Sequence, residues 1–485
     1  MADNTDPSAR SGVSRRTFVK ATGASGVAAG LAGCVYGGGG GGNGNTVQFG
    51  TDPVFIEEVG DDAKDLMHEA GLSDDIEIEW VAGNEETGAR RDNYNRLLST
   101  GEPDPDILMM DNGWVNVFIQ QGLIENLSDS DAISDEVIST VNDEYFEGFT
   151  ATARNLDGQL FGVPMYPDFP TMQYRKDLAE DAGYNPESDN WATEPMTWAE
   201  WSQITADIQE QSGVDYGFTT QWDIYVGTAC CTFNEVMTSW GGAYFGGREN
   251  LFGPVGERPV TVDAEETING LRMMTRFVQG TNFSQLSEDY AGGIAPTEIT
   301  SWNEEDSRAP MVNGNAVMHR NWPYAIASNA SEENFGEDYG AMPMPYAVTE
   351  ENAAQQGAGG SASALGGWHA TVNPNTENTE NVNEVLEVLT TDEWLLGIME
   401  LYGWVPPKPA LFESEEARNL DTMGRYMDTL QVAGENTIAR PVTSVWPNQV
   451  PVIAEQANRA VAGEKDPSQA MADLQGQLEN IEDQA

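Results

Sequence analysis

Between Thr46 and Gln121 the chain alternates short extended runs with amphipathic ones, and this alternation narrows the fold more than any other feature. T-V-Q-F-G at Thr46–Gly50 reads as a strand that turns at Asp52-Pro53. Phe55, Val59, Ala63, Leu66 and Met67 fall close to one face and predict a helix over 54–70. I-E-I-E-W-V at 76–81 alternates as a second strand, and 89–100 reads as a second helix with Tyr94, Leu97 and Leu98 inward. D-P-D-I-L-M-M-D is then a buried strand opening after two prolines, followed by a helix through W-V-N-V-F-I-Q-Q-G. Three strand–helix repeats are the pattern of a parallel sheet covered by helices, an α/β fold. Ligands of such sheets bind beyond the carboxyl ends of the strands. Asp52, Asp111, Asn112 and Trp114 fall there.

Ahead of this body lies Ser14–Cys34, S-R-R-T-F-V-K followed by a weakly apolar run and L-A-G-C. Arg15 and Arg16, with Phe18 and Lys20 behind them, match a twin-arginine export signal. The apolar run, Ala21–Gly33, would reach only ~20 Å as a helix, short of a ~30 Å hydrocarbon core. It fits a targeting segment better than a membrane span. Leu31-Ala32-Gly33-Cys34 resembles a lipobox, so residues 1–33 are expected to be removed and Cys34 lipidated. A lasting anchor would need two acyl chains. Residues 34–45 are glycine-rich and read as a flexible tether. The G-x-G-x-x-G match inside that tract carries no information, because a glycine run matches any glycine pattern and no strand precedes it.

Charge excludes some partners. The formal net charge is −56, with only five lysines among 485 residues, and the acid is spread along the whole body. Nucleic acid, which needs clustered Lys and Arg, is not an expected partner. Aliphatic and aromatic residues are too plentiful for disorder. A dispersed acidic surface of this size suits a protein kept soluble in very high salt, where repulsion is screened over a few ångströms. An extremely halophilic source is expected. The three cysteines give no disulfide framework. Beyond Cys34 there is only the adjacent pair Cys230 and Cys231, readable as buried thiols or as a vicinal disulfide.

Later stretches carry a family resemblance. P-D-P-D-I-L-M-M-D-N-G-W with Q-Q-G-L-I-E-N-L-S-D resembles the family 1 extracellular solute-binding proteins, the maltose- and trehalose-type sugar-binding lipoproteins of ATP-driven importers. L-D-G-Q-L-F-G-V-P-M-Y with Y-R-K-D-L-A, P-M-T-W-A-E-W, M-V-N-G-N-A-V-M-H-R-N-W-P, L-G-G-W and Y-G-W-V-P-P-K agree in order. Thr197 suits the N-cap of a helix, with Trp198 and Trp201 on its core face. The resemblance implies two α/β lobes, each a mainly parallel sheet covered by helices. Lobe one would be 46–166 plus 344–412, and lobe two 172–338 plus 413–485. Hinges are expected near 167–171, 341–343 and 412. It also implies a monomer without cofactor that binds a mono- or oligosaccharide and delivers it to permease subunits, held outside the cytoplasmic membrane by its lipid.

A sugar offers apolar C–H faces to aromatic rings and hydroxyls to carboxylates and amides. The resemblance places Trp322 and Trp446 at stacking positions and Asp168 at a hydroxyl-binding one. Asp111, Asn112, Trp114, Trp368, Trp404 and Asp52 complete the candidate site, with Thr232–Glu235 as further candidates. His319 and Arg320 stand where small or apolar residues are common in the family, which allows for an acidic substituent on the sugar. Asn126, Asn282 and Asn329 begin N-x-S sequons, possible glycosylation points. The alternatives are the same fold carrying a polyamine, a metal ion or a peptide, and an exported glycoside-active enzyme. G-x-S-x-G and H-E-x-x-H are both missing from the sequence, and His68, His319 and His369 are too scattered to suggest a metal cluster. The expectation is a binding protein, not an enzyme.

Overall fold

The computed structural model describes residues 44–155 and 157–485. Arg15, Arg16 and Cys34 therefore lie outside the described residues. The first part of the chain builds β1 (Thr46–Thr51), α1 (Pro53–Glu69), β2 (Glu77–Ala82), α2 (Thr87–Thr100), β3 (Ile107–Asp111) and α3 (Val115–Gln121). Local chemistry sets several of these boundaries. The Asp52 side chain accepts the Val54 N–H at 2.8 Å, with Pro53 at the first helical position, so α1 starts there. Gly101 and Gly122 end α2 and α3 in the left-handed conformation.

The first sheet has the order β2-β1-β3-β10-β4, with β4 at Gly162–Asp168 and β10 at Gly366–Val372. All five residues of β3 are buried. Ile107 and Met109 join one core with Val47, Phe49 and Phe55, while Leu108 and Met110 join another with Tyr94, Trp114 and Phe118. A central strand covered on both faces accounts for its unbroken apolar run. The second sheet has the order β6-β7-β5-β8: β5 is Thr171–Arg175, β6 Tyr216–Thr219, β7 Ala316–Asn321 and β8 Tyr339–Met342. One of its cores contains Trp198, Trp201 and Phe277, backed by helices Glu265–Gln279, Trp446–Val461 and Pro467–Asp483. Thr197 caps helix Trp198–Ser212 by accepting the Glu200 N–H at 3.2 Å.

Two expectations are corrected. The sheets are mixed, not mainly parallel: β10 runs antiparallel to both β3 and β4, and β5 is antiparallel to both β7 and β8. A strand that re-enters a sheet after an excursion through the other one is free to run in either direction. Second, 341–343 is not where the chain leaves the second sheet. Residues 344–364 stay with that body: Trp198 N–H donates to Tyr346 O at 2.8 Å, Ala347 N–H to Ser239 O at 2.9 Å and Gly359 N–H to Thr238 O at 2.8 Å. The chain enters the first sheet only at Gly366, just after β9 (Ser363–Ala364) pairs with β11 (Thr437–Ile438). Pro343 and Pro345 are ordinary loop punctuation in this setting.

Candidate functional site

A cavity of about 390 Å³ lies between residues at the carboxyl ends of the first sheet's strands and residues of the second body. On the first side, Asp52 has two tasks. One oxygen caps α1 and the other pairs with the fully buried Arg90. Arg90 in turn places its guanidinium 5.0 Å from the ring centre of Trp368, which meets Trp114 edge-on at 5.6 Å. Trp404 lies parallel to Phe55 at 4.6 Å and to Tyr166 at 4.4 Å, so protein aromatics already occupy much of its ring. Gly403 has φ +80°, and a Cβ there would meet Pro323 O at 2.7 Å. The Y-G-W turn thus needs glycine to pass beside Trp322-Pro323-Tyr324.

The opposite side comes from Tyr225–Gly227, Cys230, Cys231, Asn303–Glu305, Trp322 and Tyr324. Asn303 caps helix Glu304–Val312 through the Glu305 and Asp306 N–H groups, aiming that helix end at the cavity. Behind Trp322, the guanidinium of Arg320 sits 4.6 Å from the ring. Arg320 itself is locked. Its Nε and a terminal nitrogen donate to the two oxygens of Glu235, and the other terminal nitrogen donates to Gln221 Oε1 at 2.9 Å. Both members of that pair are about 1 % exposed. The basic group that allowed for an acidic sugar substituent is therefore already neutralised. His319 is structural. Nε2 accepts from Asn321 Nδ2 at 2.8 Å, leaving the proton on Nδ1 towards Thr219, and burial pulls its pKa down to about 3.

Electrostatics separate the acids by role. Asp111 pairs with Arg440, accepting its terminal nitrogen through Oδ2 at 2.8 Å and the Gly113 N–H through Oδ1 at 2.8 Å, and Arg440 also donates to Asn112. Arg440 is 4 % exposed and its Nε finds no acceptor among the described residues. Glu305 takes the Tyr324 hydroxyl at 2.6 Å and pairs with Arg308. Glu304 takes the Tyr225 hydroxyl at 2.8 Å, and burial raises its pKa. Asp168 has no hydrogen bond or ion pair from its side chain among the described residues. Burial, opposed by Arg320 and reinforced by Glu304 and Asp111, pushes its carboxyl up to about 8. An unpartnered acid facing a cavity is an acceptor, or when protonated a donor, waiting for a ligand.

Of the sequence candidates, Trp322, Asp168, Asp111, Trp368, Trp404 and Asp52 line this cavity. Three others do not. Asn112 is 2 % exposed and spends its side chain on Leu365 O, Gly366 O and Arg440. Trp114 packs in the core beside Tyr94 and Phe118, and Trp446 is 3 % exposed against Tyr244. Thr232 and Glu235 are buried behind the wall, whose surface is made by their neighbours Cys230 and Cys231. Tyr166, Tyr225, Glu304, Glu305, Tyr324, Tyr402 and Arg440 line the cavity without having been singled out. A signal existed for three of them. Tyr402 and Tyr324 stand two residues from Trp404 and Trp322, and Arg440 opens the R-P-V-T-S-V-W-P-N stretch in which only the Trp was chosen. Among the sequons, Asn329 is fully buried and donates to the Tyr339 hydroxyl, so the folded protein does not present it for glycosylation.

Two helix-covered sheets facing each other across an aromatic and acidic cavity make the two-lobed α/β architecture of periplasmic binding proteins. The family is shown by residues 64–395, which match the model of the bacterial extracellular solute-binding proteins, and the chain belongs to that family. A probable ABC transporter-binding protein of Deinococcus radiodurans is 26 % identical over 416 residues, 83 % of this chain and 86 % of its own length. Maltose-bound MalE3 of T. maritima shares the fold with a TM-score of 0.72 at 23 % identity, covering 90 % of this chain and 99 % of that one. A solute-binding protein of Agrobacterium vitis with bound D-mannitol gives 0.65 at 16 % identity, covering 90 % and 97 %.

Proposed function

We propose that this solute-binding protein captures a saccharide or a closely related polyol in the cavity between its lobes and delivers it to membrane permease subunits of an ABC importer. One observation carries the reading: Trp322, Trp368 and Tyr225 share a cavity with Asp168 and Glu304, acids that pair with no cation among the described residues. The rings suit C–H faces and the carboxyls suit hydroxyls. Neutral ligands fit better than acidic ones, because Arg320, Arg90 and Arg440 are each paired with a carboxylate. The same surplus of acid favours a polyamine as the second reading. No chemistry is assigned to the protein itself. Capture brings the lobes together by hinge motion, with crossings of the chain at 169–170, at 365 and just after 412 as the bending points, and the closed form is the one the permease recognises.

Trp322→Ala is expected to weaken saccharide binding at least tenfold, ~1.4 kcal/mol, while circular dichroism stays that of wild type. Calorimetric titration checks this, and an unchanged Kd removes Trp322 from the ligand contacts. Outside the cell the protein is proposed to be exported through its Arg15-Arg16 signal and held on the membrane by a lipid on Cys34, as a monomer adapted to high salt. Membrane fractionation of wild type against Cys34→Ser decides the anchor.

A further inference from the structure

Cys230 and Cys231 are joined to each other as a disulfide, and both line the cavity. They lie in Thr228–Thr232, a π-helical turn that leads into helix Phe233–Ser239. Such turns often mark functional positions in helices. This one is fastened from several directions. Thr228 Oγ1 donates to Asp223 O at 2.6 Å, Thr232 Oγ1 to Gln221 O at 2.9 Å, Tyr244 Oη to Ala229 O at 2.6 Å and Asn234 Nδ2 to Cys230 O at 3.2 Å. The adjoining residue Gly227 leaves room for the Tyr225 ring, which a Cβ would meet at 2.3 Å. Tyr225 is held there by its hydroxyl on Glu304. The cavity wall that shares this space with Trp322 is therefore a fixed ring followed by the linked cysteine pair. Joined sulfurs carry no S–H donor and are polarisable, so they present an apolar plate where two thiols would present separate weak donors.

Resting on the saccharide reading, we propose that the Cys230–Cys231 disulfide is itself a ligand-contacting surface, against which an apolar face of the sugar packs. Affinity then depends on the redox state of the pair. A dithiol reductant supplies two electrons and two protons. The Cys230–Cys231 S–S bond breaks to give two thiols, while the reductant closes to its own cyclic disulfide. The plate is lost, and with it the fit of the wall to the sugar.

The test is calorimetric titration of air-oxidised and dithiothreitol-reduced protein with whichever of maltose, tagatose or mannitol binds the oxidised form, with thiols counted in each sample. The double variant Cys230→Ser, Cys231→Ser serves where the buried bond resists the reductant. The expected result is a Kd raised about tenfold or more by reduction, restored by reoxidation, and raised similarly in the double variant, with circular dichroism unchanged. Equal Kd values within twofold in the bonded and unbonded forms overturn the proposal and leave the saccharide reading standing. Cys230 and Cys231 found as free thiols in the air-oxidised protein overturn it as well. Oxidised protein that binds none of these ligands or any other saccharide overturns the saccharide reading, and the proposal falls with it.

Discussion

Glu235→Ala is expected to destabilise the folded chain by about 3–5 kcal/mol, the usual cost of stranding one member of a buried ion pair. Arg320 and Glu235 are both about 1 % exposed, and Glu235 satisfies two nitrogens of Arg320 as well as the Ala364 N–H at 3.1 Å. Removing the carboxylate leaves a guanidinium with Gln221 as its remaining side-chain acceptor, in a place that water does not reach. The effect has a second face. Arg320 supports the Trp322 ring, and Ala364 sits at the point where the chain crosses from one sheet to the other. Ligand affinity should therefore fall along with stability. Denaturant unfolding measures the first and calorimetry the second. The double replacement Glu235→Met, Arg320→Met should be less destabilising than Glu235→Ala alone, since it leaves no charge behind. A loss below 1 kcal/mol for Glu235→Ala would mean that water or a rearranged neighbour solvates Arg320, contrary to its burial.

Asp168 should make stability depend on pH. An unfolded aspartate titrates near ~3.9, while in the fold burial pushes Asp168 up to about 8. From about pH 4 to 8 the folded chain holds a proton that the unfolded chain has released. Stability from this group is therefore complete below about 4, falls as pH rises, and levels off above about 8. The upper limit of the loss is about 6 kcal/mol at ~1.36 kcal/mol per pH unit, reduced by whatever water reaches the carboxyl from the cavity. Asp168→Asn removes the dependence. Relative to wild type it should gain stability progressively across that window and gain nothing more beyond it. Glu304, also raised by burial, keeps a residual slope of the same sign in the variant. Unfolding at about pH 5, 7 and 9 checks this, and a stability difference that is the same at all three would refute the environment assigned to Asp168. A saccharide that donates hydroxyls to the Asp168 carboxylate must also displace its proton, so affinity should rise towards pH 8.

Much of the first sheet could be read from the letters because its signals are local. Asp52-Pro53 starts a helix, Gly101 and Gly122 end two, and the apolar run of β3 has the length of a buried strand. The candidate site was legible where it sits at the ends of those strands, at Asp52 and Asp111. Of the other wall only Trp322 was, through the H-R-N-W-P stretch. Tyr225 to Cys231 and Asn303 to Glu305 reach the cavity because the second body folds around them, and no periodicity in those residues says so. Arg440 meets Asp111 across 329 residues of sequence. Trp114 and Trp446 show the converse difficulty: a tryptophan near a strand end or in a loop reads the same whether its ring faces a ligand or a core. Pro343 likewise marks a loop equally well at a hinge or inside a lobe.

Whether the cavity holds a saccharide can be read from a thermal-shift panel. The compact body Gly44–Ala485 would be heated in multimolar KCl with saccharides, polyols, polyamines and metal salts. A ligand that binds only the folded state at a hundred times its Kd stabilises by about 2.7 kcal/mol and raises Tm. A specific rise with one or a few saccharides or polyols is the expected result. A rise with polyamines or metal salts alone, with every sugar and polyol silent, would contradict it.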